Sequence, residues 1–202
     1  MAYLQIQNGV TTVGITGAQG VGKTTFCNAL AATLMAKTTA QVHLSPSIGG
    51  RLKELGIPLG SSASADSVAA VYRAHIDRNL ERNPGIVLFD RCAVDALAYV
   101  RALRVTSDAQ TDMYERLTAL LVRHLHLVIH LEMRGIFRTQ HASHETTSLR
   151  ADIAQLVPLI ISELDLPSIT IYAADTDAVE HAAAGILARI ADAAALPSRG
   201  AC

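Results

Sequence analysis

The stretch VGITGAQGVGKTT, residues 13–25, decides how the rest of the chain is read. A β-branched run, Thr11 to Thr16, stops at Gly17, and Gly22-Lys23-Thr24 completes the spacing G-x-x-x-x-G-K-[ST]. Each residue type has a task there. Glycines let backbone N–H groups turn inward around a phosphate. The lysine reaches the β- and γ-phosphate oxygens, and the Thr24 hydroxyl is placed to ligate Mg²⁺. The helix that follows points its positive end at the anion. An ordinary glycine turn between strand and helix would share part of this pattern. The apolar strand before it and the helical stretch KTTFCNALAATLMAK after it, with Phe26, Leu30 and Leu34 four apart, favour a phosphate cradle. The expected triphosphate site is Gly17, Ala18, Gln19, Gly20, Val21, Gly22, Lys23, Thr24 and Thr25, with ATP and Mg²⁺ as cofactors.

Downstream the pattern alternates. AQVHL (40–44) reads as a second strand, and RLKELG as a short helix closed by Gly56. After the loop GSSAS, Ser64 or Asp66 is placed to cap a helix running to about Arg82, which NPG stops. IVLFD (86–90) is apolar until its last residue and reads as a central strand of a parallel sheet. Helices are expected from about Cys92 to Arg104 and from Asp108 to Arg123, then a fourth strand over LHLVIHLE (125–132). The polar segment at about 133–150 reads as a mobile lid. Residues 151–164 read as helical, with Pro158 as a kink or a division into two pieces. SITIYA (168–173) and a helix capped at Asp175 or Thr176 close the order. Strands alternating with helices imply a parallel sheet covered on both faces, in one domain over 1–202.

Composition sets limits. The chain has 202 residues, a net charge of −1 and three cysteines, Cys27, Cys92 and Cys202, with no C-x-x-C pair. That balance argues against tight nucleic-acid binding and fits a reduced, cytoplasmic setting. No charged n-region with an apolar h-region opens the chain, and no run approaches the ~18 apolar residues of a membrane span.

Asp90 closes the apolar run IVLFD in the Walker-B form, so it is expected beside the phosphate cradle, holding Mg²⁺ or accepting a proton from a substrate hydroxyl. A helix N-cap is the competing assignment. Arg91 is a candidate clamp for substrate phosphate or developing charge, and Asp95, four residues on, is placed to pair with it on one helix face. Tyr99 lies on the same stripe, where packing is the commoner role. There is no N-K-x-D base reader for a GTPase, and the chain is short for an AAA+ motor with a helical lid domain.

GITGAQGVGKTTFCNALA together with FDRCAVDALAYV resembles the nucleoside and nucleotide kinase-like P-loop proteins: thymidylate kinases, deoxynucleoside kinases and ribosylnicotinamide-kinase-type domains. The likeness rests on D-R-x-x-x-D-x-L-A-Y (Asp90, Arg91, Asp95, Leu97, Ala98, Tyr99), on GIPL (56–59) and on LEMRGIFRTQ at a strand end. It implies a three-layer α/β/α fold with a five-stranded parallel sheet, order 2-3-1-4-5. It implies Lys23 and Thr24 at the triphosphate, Asp90 and Arg91 on the acceptor side, and lid arginines near the γ-phosphate. Arg138 is the best match for that last role, ahead of Arg134 and Arg150. The implied activity is ATP- and Mg²⁺-dependent phosphoryl transfer to a nucleoside, nucleotide or similar small acceptor, and such relatives are often homodimers. Two other activities stay open: an ATP-binding regulatory module with slow hydrolysis, and a kinase of a modified base in DNA.

The sequence departs from its relatives after strand two. Many of them carry a carboxylate there, whereas HLSPSIGGRLKEL has none before Glu54. Asp90 would then serve as the base, or Ser45 and Ser47 would bind the acceptor differently, or the chain has lost the chemistry usual in those relatives. The histidines carry a weaker expectation. His124, His126 and His130 would share one strand face, His141 and His144 with Glu145 would form a chance zinc site, and His43 would sit near the acceptor.

Overall fold

The computed structural model describes residues 10–81, 83–132 and 144–195. Its five strands run parallel in the order β2-β3-β1-β4-β5, as the resemblance implies. They are β1 (Val10–Thr16), β2 (Val42–Ser45), β3 (Gly85–Asp90), β4 (Leu127–Glu132) and β5 (Ser168–Tyr172). Every residue of β3 is buried, which matches a strand flanked on both sides and covered on both faces. The edge strands are shorter or more exposed.

Seven α-helices cover the sheet among the described residues: α1 (Lys23–Lys37), α2 (Ile48–Glu54), α3 (Ala65–Leu80), α4 (Ala93–Leu103), α5 (Asp108–Val122), α6 (His144–Glu163) and α7 (Ala178–Ala195). The alternation of strand side chains splits the core in two. Val13, Ile15, Ile86, Leu88, Ile129 and Leu131 pack under α1 and α7. Val87, Phe89 and Val128 face the other way, against α3, α4 and α6. These faces make the expected three layers. No described helix is long and apolar enough to cross a membrane.

Several boundaries move for physical reasons. Ser64 caps α3, accepting from the Ser67 backbone N–H, so the capping expectation holds. Strand β4 begins at Leu127 rather than Leu125, because Thr12 ties down the turn before it. The Thr12 hydroxyl donates to the His124 carbonyl, and the Thr12 N–H donates to His126 Nδ1. His124 and His126 therefore precede the strand and do not share a face with His130. Helix α6 begins at His144, about two turns before the expected start and inside the segment read as a lid. Its buried stripe Leu149, Ile153, Val157 and Ile160 already has helical spacing. Pro158 lies within that helix without dividing it. The ring faces solvent, so water can satisfy the carbonyl that loses its donor.

Strand β1 connects onward to β2 on one side, and β3 connects onward to β4 on the other. The crevice at their carboxyl ends is thus the switch point where open α/β sheets bind ligands.

Candidate functional site

The loop from Gly17 to Gly22 occupies that switch point, between the end of β1 and the start of α1. Gly17, Gly20 and Gly22 all have positive φ, the region glycine enters without a Cβ penalty. Gly17 is the more constrained, since a Cβ there would collide with the Leu131 carbonyl oxygen of β4. Gly22 forms the left-handed N-cap of α1 with open space around it, leaving the first turn of the helix clear for an anion.

Lys23 is 4% exposed, and its ammonium folds back on the loop, donating to the Gly17 carbonyl at 2.5 Å and the Ala18 carbonyl at 2.6 Å. Burial pulls its pKa down to about 8, against the opposing pull of Asp95 and Asp90. Phosphate oxygens are the natural replacement for those two carbonyls.

Register brings Asp90 to the loop. Ile15 pairs with Asp90 across the parallel β1–β3 ladder, and the Arg91 N–H donates to the Ile15 carbonyl at 3.0 Å. The Thr24 hydroxyl donates to Asp90 Oδ2 at 2.6 Å. Asp90 Oδ1 is buried with no hydrogen-bond partner among the described residues. The N-cap assignment for Asp90 fails, because Cys92 caps α4 and its N–H donates to Asp95 Oδ2 at 3.2 Å. A hydroxyl oxygen beside a carboxylate oxygen with an unused lone pair suits a hard divalent cation such as Mg²⁺, which typically takes one or two protein ligands and completes its shell with phosphates and water. Among the described residues no group of three His, Cys, Asp or Glu could hold a metal ion. His141 lies outside the described residues, as do the side chains of His144 and Glu145.

Arg91 and Asp95 pair as expected, Nη1 to Oδ1 at 3.0 Å. Arg91 has φ 71°, an uncommon conformation for a residue with a side chain. Beside this pair opens a cavity of about 270 Å³ between the phosphate loop, α2, α3 and α4. Its polar wall includes Gln19, Ser47, Lys53, His75, Arg91 and Asp95. Tyr99 lines it too, packing partly against the core while its hydroxyl donates to Gln19 Oε1 at 3.3 Å. The residue expected mainly as core therefore links the cavity to the phosphate loop.

The expected residues divide on this geometry. Lys23, Thr24, Asp90 and Arg91 come together. Ser47 reaches the cavity, whereas Ser45, Glu54 and His43 do not line it. Asp95 does line it, so a carboxylate reaches the cavity from α4 rather than from the segment after strand two. Arg134 and Arg138 lie outside the described residues. Arg150, on α6, does not line the cavity, though its charge acts on Tyr99, which does.

Two residues that no motif marks also belong to this region. His75 lines the cavity, and Arg78, buried behind it, donates to His75 Nδ1 at 3.1 Å and to the Arg91 carbonyl at 2.7 Å. The Arg78 guanidinium also lies over the Phe89 ring, 4.4 Å from its centroid. The signal was present in the sequence: Val68, Val71, Tyr72, His75 and Arg78 continue one stripe of α3 at three- and four-residue spacing. A titratable pair on an apolar stripe asks for a partner.

The comparisons agree with this architecture. The NadR protein solved in complex with NAD and AMP-PNP superposes with TM-score 0.69 at 15% identity, over 96% of this chain and 52% of that one. NadR in complex with NR gives TM-score 0.66 at 15% identity, over 96% and 53%. The chain thus spans about half the length of those NadR structures. Thymidylate kinase from Ehrlichia chaffeensis gives TM-score 0.63 at 15% identity, over 89% of this chain and 98% of that one. At such identities the likeness is one of fold. No curated protein matches the sequence. A family model described as AAA domain matches residues 12–178. That name is shared with the motor ATPases set aside above on chain length, and the match runs from β1 to the start of α7. The chain belongs to this AAA-domain family and is a P-loop protein of α/β fold.

Proposed function

We propose that the protein is an ATP- and Mg²⁺-dependent phosphotransferase acting on a small acceptor, a nucleoside, a nucleotide or a compound of similar size. The observation that carries this reading is the adjacency of two different sites at the β1–β3 crevice. One is a phosphate loop with a carboxylate beside its threonine. The other is an adjoining cavity of about 270 Å³ whose lining includes Gln19 of the loop, Arg91 and Tyr99. A kinase requires both sites, whereas ATP binding with slow hydrolysis requires only the first.

In this reading the loop N–H groups and Lys23 hold the triphosphate, while Thr24 and Asp90 hold Mg²⁺. The cation neutralises charge on the phosphate oxygens when bound. Arg91 and Asp95 face the acceptor and orient it. The acceptor oxygen forms a bond to the γ-phosphorus as the bond to the β–γ bridging oxygen breaks, and ADP leaves. The acceptor proton passes to a carboxylate at the site or to solvent. Phosphoryl transfer demands mainly positioning and charge stabilisation, which this arrangement supplies. Arg150, and Arg138 from the segment before α6, are the proposed lid cations.

The test is incubation of the purified chain with Mg·ATP and a panel of nucleosides, nucleotides and ribosylnicotinamide, following ADP release and acceptor phosphorylation. One acceptor is expected to raise ADP release well above background and to gain a phosphate. ATP binding with no stimulation by any acceptor would favour the regulatory module instead.

A further inference from the structure

The proposed acceptor cavity has an asymmetric hydrogen-bonding end. Helix α3 presents His75 to it, and His75 is only 4% exposed. Its Nδ1 lies 3.1 Å from Arg78 Nη2. A guanidinium has donors only, so Nδ1 must accept, and the ring proton must sit on Nε2. Among the described residues Nε2 has no protein partner.

Arg78 is firmly placed to impose this tautomer. The same Nη2 donates to the Arg91 carbonyl, the guanidinium rests on Phe89, and the residue is 6% exposed. Its Nε and Nη1 have no hydrogen-bond partner among the described residues, and burial pulls its pKa down against the more distant pull of Asp95, Asp90 and Glu81. Burial, Arg78 and Arg91 all push the His75 pKa well below the ordinary histidine value, so the ring stays uncharged.

Charge around the cavity points the same way. The charged lining residues are Lys53, Arg91 and Asp95. Asp95 is the one carboxylate among them, and both of its oxygens are engaged, Oδ1 by Arg91 and Oδ2 by the Cys92 N–H. Among the described residues no carboxylate is left to receive a positively charged ligand, while Lys53 and Arg91 would repel one.

We propose that His75 is a specificity residue of the acceptor cavity, its Nε2–H donating to a carbonyl oxygen or bare ring nitrogen of an uncharged or anionic base-bearing acceptor, and that the cavity rejects a cationic base of the pyridinium kind. This rests on the phosphotransferase reading for the cavity's role, and the test separates the two. A site built to hydrogen-bond its ligand discriminates strongly against one that cannot reciprocate.

The experiment uses the ¹⁵N-labelled full chain. Long-range ¹H–¹⁵N spectra between about pH 6 and 8 report which His75 nitrogen carries the proton. The chain is then titrated with the four common deoxynucleosides, their monophosphates, and ribosylnicotinamide as the cationic probe. The expected result is a proton on Nε2 throughout, and at least one uncharged or anionic probe that shifts the Nε2–H resonance. That probe binds at least about tenfold more tightly than ribosylnicotinamide. His75→Met weakens it roughly tenfold, whereas His75→Gln, which keeps an N–H near the Nε2 position, holds it within about threefold. The inference is overturned by a proton on Nδ1, by ribosylnicotinamide binding as well as the others, by a His75→Met chain of unchanged affinity, or by a panel that leaves His75 unmoved. The tautomer is read on the unaltered chain, so a variant that does not fold leaves the test intact. A probe that gains phosphate without moving His75 sinks this inference and keeps the transfer reading. One that moves His75 but gains no phosphate does the reverse.

Discussion

The Thr24 hydroxyl donates to Asp90 Oδ2 at 2.6 Å although 66 positions separate the two residues. The parallel β1–β3 register produces this contact by ending both strands at one edge of the sheet. Asp90 Oδ1, buried beside it, has no partner among the described residues. An unpaired buried carboxylate oxygen is costly unless a cation is due to arrive.

Asp90→Asn keeps the shape and removes the charge. ATP affinity without Mg²⁺ is expected to change little. The gain in affinity on adding Mg²⁺ is expected to vanish, with turnover down by about 10²-fold or more, the usual scale for losing one electrostatic element of a transition state. Calorimetric titration of ATP with and without Mg²⁺, alongside ADP release, checks this. A variant whose Mg²⁺ enhancement survives would remove Asp90 from the metal site.

Lys23 gives a pH prediction. In the free protein its pKa is about 8, lowered chiefly by burial. A bound triphosphate favours the ammonium and raises that pKa, so binding takes up a proton wherever the free lysine is partly deprotonated. Affinity for the nucleotide should be full below about pH 8 and decline as pH rises through that value. Calorimetry in two buffers of different ionisation enthalpy should show proton uptake near pH 8 and almost none near pH 6. Equal uptake at both would mean that another group titrates.

The parts of this site legible in the sequence are those whose chemistry is local. Gly17 to Thr25 specify a loop and a helix start by themselves, and Asp90 follows from a strand that is apolar until its last residue. The sheet order came from the family likeness, because strand adjacency is a long-range property that periodicity does not carry. His75 and Arg78 were missed because a helical stripe reveals burial but not the partner across it, here the Arg91 carbonyl. Helix α6 was begun too late because its first residues are polar. Leu149 starts the buried stripe two positions before Ala151, where the helix was expected.

Two glycines of the loop differ in what they tolerate. Gly17→Ala meets both a positive φ and the Leu131 carbonyl oxygen, so it should cost about 3 kcal/mol or more in stability. Gly22→Ala meets open space and only the left-handed penalty, about 1–2 kcal/mol. Urea denaturation of the two variants ranks them. Equal losses would show that the β4 carbonyl approach is not what constrains Gly17.

Cys27 and Cys92 are buried, and burial pushes both thiols up to about 12. The thiolate is the reactive form, so neither should be alkylated in the native protein near neutral pH. Mass spectrometry of iodoacetamide-treated protein, native against urea-unfolded, reads this residue by residue. Fast native labelling of Cys92 would show that the start of α4 opens readily, since its side chain lies under that helix cap.

Arg91 separates stability from function. Its φ of 71° is one that glycine accepts freely and other residues do not. Its guanidinium pairs with the buried Asp95, so either substitution strands the Asp95 Oδ1 and carries the same cost in both variants. If Arg91 is kept for its side chain at the acceptor site, Arg91→Gly should relieve the backbone and come out about 1 kcal/mol more stable than Arg91→Ala. Both should lose acceptor-stimulated turnover to the same extent, while ATP affinity holds. Urea denaturation and ADP release measured on the two variants together decide it. If Arg91→Gly is no more stable than Arg91→Ala, the left-handed backbone is not a cost carried for function. If either variant turns over normally, the guanidinium is not an acceptor ligand.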